Sequence, residues 1–200
     1  MVNFDYQTPT RLIFGRGVVS EKLASVMNQY GKRVLITYGG GSIKRTAPGH
    51  DKSLYDLVKD TLTDKQVFEL GGIQPNPKFN PSVLDGVRMC QDNDIDVILA
   101  VGGGSVLDCT KAIAGVAGTL KTKVTDNVEE AWDIVCGRKP TTAAVPIVDI
   151  ITMAATGSEY DMGGVISRTE TNDKLAYFSK LVFPAVSFID PTYTFTLPVK

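Results

Sequence analysis

The stretch Ile98-Leu99-Ala100-Val101-Gly102-Gly103-Gly104-Ser105-Val106-Leu107-Asp108-Cys109-Thr110-Lys111 restricts the possible folds more than any other part of the chain. Residues 97–101 are all apolar, with the length and branching of a buried strand, and three glycines stop the run. Ser105 falls at a helix N-cap position, and residues 106–116 read as the helix it opens. A strand, a glycine turn and a helix N-terminus in succession make a phosphate-binding geometry. Without a Cβ in the way the turn amides approach an oxyanion closely, and the helix end adds partial positive charge. Asp108 and Lys111 lie on the first turns of that helix, within reach of a ligand held there. The spacing is not G-x-G-x-x-G, because Leu107 stands where the third glycine would be, so the ordinary dinucleotide fingerprint is absent. A tight turn that merely closes a βα unit fits two of the glycines equally well. Three in a row, backed by Ser, Asp and Lys, favour phosphate.

A second glycine turn, Gly39-Gly40-Gly41-Ser42, ends the strand predicted over residues 33–38. In open α/β sheets this carboxyl edge is where ligands bind, and NAD-selective sites place a carboxylate there for the ribose 2′-hydroxyl. Here no acidic residue follows until Asp51; glycines, the Ser42 hydroxyl, Lys44 and Arg45 come first. A 2′-phosphate would meet no like charge, although an exposed polar loop accounts for the same residues. The only histidine, His50, falls in this loop and reads as a solvated residue. Asn76 lies between Pro75 and Pro77 after a strand over 66–70, and either faces a ligand or supports a turn.

Further strands are expected at 10–14, 143–147 and 185–189, with a hairpin from 165–167 through Thr171-Asn172-Asp173 to 175–178. Helices are expected from 18 to Gly31, over 54–62, from Pro81 with Asn80 as cap, and over 127–135, where Trp132 reads as core. Strands alternating with helices imply an α/β fold with a doubly wound, mainly parallel sheet. One domain is expected over residues 1–195, with 196–200 beginning a linker.

The 200 residues suffice for one well-buried α/β domain. A net charge of −1 without charge runs argues against nucleic acid as the main partner. No apolar run approaches about 18 residues, so no membrane segment is expected. Three scattered cysteines without metal-ligand spacing suit a reducing cytoplasm.

Taken together, Gly39-Gly40-Gly41-Ser42, Pro75-Asn76-Pro77, Gly102-Gly103-Gly104-Ser105 with Asp108 and Lys111, Thr156-Gly157-Ser158-Glu159 and Asp190-Pro191 resemble the iron-containing (group III) alcohol dehydrogenases. The NADP-dependent butanol dehydrogenase or aldehyde reductase branch is the most similar. The resemblance runs from about Phe4 to Lys200. It implies the family's Rossmann-like, dehydroquinate-synthase-like N-terminal domain. Gly102, Gly103, Gly104 and Ser105 would then hold the cofactor pyrophosphate, with Asp108 supporting that loop or touching the cofactor. Gly39, Gly40, Gly41 and Ser42 would surround the adenosine ribose. NAD-selective members carry an acidic residue at about Gly39, so the resemblance implies NADP(H). Asn76, Thr152 and Thr156 match cofactor-contacting positions, and Lys174 matches a lysine beside the cofactor.

Members of the family bind a divalent metal, iron or zinc, through one Asp and usually three His in an all-helical C-terminal domain, and this sequence has one histidine. The resemblance therefore implies the cofactor domain of an alcohol/aldehyde oxidoreductase, inactive alone, with no catalytic residue and no metal ligand of its own. A homodimer through the N-terminal strand is also implied. The competing expectations are a stand-alone non-catalytic nucleotide-binding module and a dehydroquinate-synthase-like lyase.

Overall fold

The computed structural model describes residues 8–195. Six strands form one parallel sheet in the order β1-β8-β5-β4-β2-β3: β1 (Arg11–Phe14), β2 (Arg33–Tyr38), β3 (Gln66–Leu70), β4 (Val97–Gly102), β5 (Ile147–Ile151) and β8 (Val186–Ile189). A separate antiparallel hairpin pairs β6 (Gly163–Arg168) with β7 (Asp173–Phe178). The helices are α1 (Val18–Met27), α2 (Leu54–Thr61), α3 (Leu84–Asp92), α4 (Gly104–Thr119) and α5 (Val128–Val135).

The central strands are apolar on both sides because both sheet faces are covered, as parallel sheets require. Val34, Ile36, Leu99, Val101, Val148 and Ile150 pack with α1 and α2 on one face. Leu35, Ile98, Ala100, Ile147 and Ile151 pack with α3, α4, α5 and the hairpin on the other. Trp132 is buried there against Phe79, as expected of a core residue. Burial pushes the Cys90 thiol up to about 12 and raises that of Cys109 as well, so neither is a ready nucleophile.

Several local expectations are corrected. Residues 143–146 are not strand: β5 starts only at Ile147, after Pro146, whose carbonyl accepts Ile98 N–H at 2.9 Å. Asn80 is extended (φ −111°, ψ 123°) just before Pro81, as a cap would be, but its side chain donates to Glu170 at 2.9 Å, and a π-helical turn over Phe79–Val83 leads into α3. Helix α1 stops at Met27 rather than running to Gly31. The linker expected at 196–200 lies outside the described residues.

The sheet order creates the crevice. β2 and β4 are neighbours, with Tyr38 opposite Val101 at their carboxyl ends. The chain leaves β2 toward α2 on one face and leaves β4 into α4 on the other. Adjacent strands whose connections diverge in this way open a gap at the carboxyl edge, the usual ligand position in doubly wound sheets.

Candidate functional site

Four loops begin side by side along this edge. The loop after β3 joins the one after β2 through Gly72 N–H to Gly39 O (3.0 Å) and Ile73 N–H to Tyr38 O (3.2 Å). The loop after β5 joins the one after β4 through Thr152 N–H to Gly102 O at 2.9 Å. The expected glycine turns and Thr152 therefore share one rim, although Gly39 and Thr152 are 113 positions apart (152 − 39).

At the β4–α4 turn the cap differs from expectation. Gly103, not Ser105, is the N-cap; its backbone is extended (φ −92°, ψ −173°), no side chain caps it, and its carbonyl accepts Val106 N–H at 2.9 Å. With no side chain satisfying the first helical amides, they remain available to an anion. A Cβ on Gly103 would come 3.7 Å from Met153 Cβ, and one on Gly104 3.0 Å from Thr156 Oγ1. The glycines thus keep open a gap between this turn and the 152–156 loop. Thr156 is exposed above it.

Asp108 and Lys111 face inward. The Asp108 carboxylate accepts Ser158 Oγ (2.9 Å) and Val165 N–H (3.0 Å), which supports the loop-bracing alternative rather than ligand contact. Burial raises its pKa above the ordinary value, against the opposing pull of Val165, Ser158 and Lys111. Lys111 is fully buried, with Nζ donating to Asp161 (2.6 Å), Gly163 O (2.7 Å) and Ser158 Oγ (3.1 Å). The expectation that it reaches a ligand is corrected: its charge is spent fastening the 158–163 turn to α4.

Past β2, Ser42 and Thr152 line a cleft of about 420 Å³ with Arg45, Thr46, Met153 and Tyr193. Gly40 and Gly41 have nothing within 4 Å of a built Cβ, and one on Gly39 meets only Ile73 O at 3.4 Å and Val106 at 3.7 Å. Packing alone does not demand glycine at position 39. Lys44 lies over the rings of Tyr38 and Tyr55, 4.9 and 4.5 Å from their centroids, which leaves the exposed Arg45 as the cation lining the cleft. The first carboxylate near this loop comes from the neighbouring strand: Glu69 accepts Tyr38 Oη (3.2 Å), Tyr55 Oη (3.0 Å) and Lys59 Nζ (2.7 Å). Burial alone would raise its pKa, but Lys59 and the tyrosine hydroxyls hold it below the ordinary value. Sequence reading missed Glu69 because its proximity depends on strand order.

Asn76 and Lys174 are brought together, Lys174 Nζ donating to Asn76 Oδ1 at 2.7 Å, with Asn76 in the left-handed region (φ 53°). They border a groove of about 280 Å³ separate from the Ser42–Thr152 cleft. His50 is not simply solvated: it is half-buried, stacked on Tyr193 and bonded to Thr192. Among the described residues no three His, Cys, Asp or Glu side chains form a possible metal cluster. No helix among them is long and apolar enough to cross a membrane.

The model of the family described as iron-containing alcohol dehydrogenase matches residues 9–191. The chain belongs to that family. Within this iron-containing alcohol dehydrogenase family it falls in the branch of the butanol dehydrogenases and YqhD. It is 48% identical over 200 residues to the probable NADH-dependent butanol dehydrogenase 1 of Bacillus subtilis, covering 99% of this chain and 48% of that protein. It is 40% identical to the NADPH-dependent aldehyde reductase YqhD of Escherichia coli, covering 100% of this chain and 48% of the relative. Among solved structures, the NADH-dependent butanol dehydrogenase A of Thermotoga maritima superposes with a TM-score of 0.84 at 37% identity, covering 98% of this chain and 46% of that one. The chain spans about half the length of the curated relatives it matches. Their names include both NADH and NADPH dependence.

Proposed function

We propose that this chain is the nucleotide-binding half of an NADP(H)-dependent, metal-dependent alcohol dehydrogenase that reduces aldehydes or ketones, and that it is inactive by itself. The observation carrying the reading is the glycine turn Gly102, Gly103, Gly104 and Ser105, whose α4 N-terminus no side chain caps, on the carboxyl edge where β2 and β4 diverge. Its first helical amides would take the pyrophosphate. Gly39, Gly40, Gly41 and Ser42 would receive the adenosine ribose, with Arg45 opposite a 2′-phosphate. The preference for NADP(H) is supported by the bare Gly39 and by Glu69, whose charge is occupied by Lys59, Tyr38 and Tyr55. Thr152 and Thr156 would bound the phosphate gap; Asn76, fixed by Lys174, would lie farther along the edge. Asp108 would hold the loop.

A nicotinamide coenzyme held by these residues would supply the hydride for reduction of a carbonyl. The residues here bind and orient that donor; none is positioned as acid, base or nucleophile. NADPH titration followed by nicotinamide fluorescence tests the reading. Replacing Gly103 by Ala introduces a methyl group that meets Met153 Cβ at an ordinary 3.7 Å, so the fold persists while the cradle is obstructed. NADPH affinity should fall at least ~10-fold with the unfolding midpoint held. Equal affinity in the parent and Gly103→Ala, or no NADPH binding by the parent at millimolar concentration, refutes it.

A further inference from the structure

The single histidine stands at a junction that the proposed cofactor contacts do not use. His50 Nε2 lies 2.9 Å from Thr192 Oγ1. Thr192 Oγ1 donates to Asp190 Oδ1 at 2.6 Å, and its backbone N–H reaches the same oxygen at 3.1 Å. The other Asp190 oxygen accepts Gly17 N–H, at the N-cap of α1, at 2.8 Å. A threonine hydroxyl has one proton, and here the carboxylate takes it. His50 Nε2 must therefore carry a hydrogen and donate. The imidazole also stacks on Tyr193, with centroids 4.4 Å apart and planes 18° from parallel.

Tyr193 is a shared wall. It borders the small hollow containing His50 and Asp190, and it also borders the cleft lined by Ser42, Arg45 and Thr152. The loop that carries His50 continues the Arg45–Thr46–Ala47 side of that cleft and includes Gly49 in the left-handed region (φ 82°). Among the described residues, His50 to Thr192 is the one hydrogen bond from segment 46–52 to anything beyond that segment and α2. That single donor fastens one wall of the cleft to the end of β8 and, through Asp190, to α1.

We propose that His50 is a positioning residue for the nucleotide cleft: through its Nε2–H bond to Thr192 and its stack on Tyr193, it holds the Arg45–Ala47 wall and the Tyr193 wall in binding register. This rests on the proposed nucleotide-binding function. Its effect falls on the adenosine half of the ligand, because the residues it holds lie beside Ser42 rather than beside Asn76 and Lys174. Releasing the loop means that ligand binding must order it, which weakens affinity without removing a ligand contact.

The test uses the whole 200-residue chain, with 2′,5′-ADP and NADPH as probes. The variants are His50→Phe, which keeps a stacked ring without the donor, Thr192→Val and Thr192→Ser. His50→Phe and Thr192→Val should each weaken both probes ~10-fold, and their double variant should lose little more than either alone. Thr192→Ser, which keeps the hydroxyl, should bind within about twofold of the parent. Nitrogen-15 NMR of the lone imidazole should show Nε2 protonated and Nδ1 bare in the neutral ring. Parent-like affinity in His50→Phe, additive losses in the double variant, or a proton on Nδ1 alone would overturn the positioning role while leaving the nucleotide reading intact. Failure of the parent to bind either probe would overturn both. If His50→Phe does not fold, the Thr192→Val and Thr192→Ser pair decides.

Discussion

Asp149 sits at the centre of β5 between Ala100 of β4 and Ser187 of β8, and it is completely buried. One carboxyl oxygen accepts Ser187 Oγ at 2.6 Å; the other has no partner. An ionised carboxylate there would leave charge unsolvated, and burial, reinforced by Glu159, drives its pKa well above the ordinary 3.8 against the opposing pull of Ser187 and Lys111. Folding therefore favours the neutral form of this carboxyl. In the unfolded chain it ionises near its ordinary value. Above that pH the folded state binds one more proton than the unfolded state, so stability falls as pH rises, by about 1.4 kcal/mol per pH unit while the fold retains the proton. Below it the term is constant and fully present. Asp149→Asn keeps an acceptor for Ser187 but cannot ionise. Its unpaired amide costs about 1–2 kcal/mol in acid, and the variant then gains on the parent with each pH unit. Urea unfolding followed by the fluorescence of the single, buried Trp132 measures this. With an m-value of about 2 kcal/mol/M, the difference in midpoint should move by about 0.7 M per unit from pH 4.5 upward. Every other carboxyl is common to both proteins and cancels. A midpoint difference independent of pH would refute the neutral carboxyl.

Gly39→Asp should shift coenzyme preference from NADPH toward NADH by about 1–2 kcal/mol in the ratio of dissociation constants, with little change in stability because a Cβ meets nothing closer than 3.4 Å; paired titrations check it. Lys111→Met unfastens Asp161, Gly163 O and Ser158, and should cost about 2 kcal/mol in urea unfolding while weakening NADPH binding several-fold. Gly118→Ala places a Cβ 2.6 Å from Ala144 Cα, against backbone that cannot rotate away, and should cost about 1–3 kcal/mol without changing relative affinities for NADPH and NADH.

The glycine turns were legible because each is a local event: an apolar run ends, Cβ atoms disappear and a helix begins within a few residues. β2 and β3 fall at the expected boundaries for the same reason. Pro146 was harder to read, since an apolar stretch around proline has strand composition but cannot fill the ladder, and β5 begins beyond it. Lys111 misled because sequence spacing places a side chain on a helix turn without saying which side of the helix the loops cover. Ser105 misled because Gly103 already turns the chain and its carbonyl receives the first helical bonds. His50 looked like a loop residue because its partners, Thr192 and Tyr193, lie 142 and 143 positions away (192 − 50 and 193 − 50).

By itself the sequence determined the alternation of strands and helices, the glycine turns at 39–42 and 102–105, and the scarcity of metal-ligating histidine. These follow from backbone sterics and periodicity, which act over a few residues. Tertiary structure decided which turns share an edge, that Glu69 stands beside the first of them, that Lys111 points inward, and that Asp149 and His50 have the neighbours they do. Strand order and desolvation are properties of the packed sheet, set by long-range burial of two apolar faces, and no local pattern encodes them.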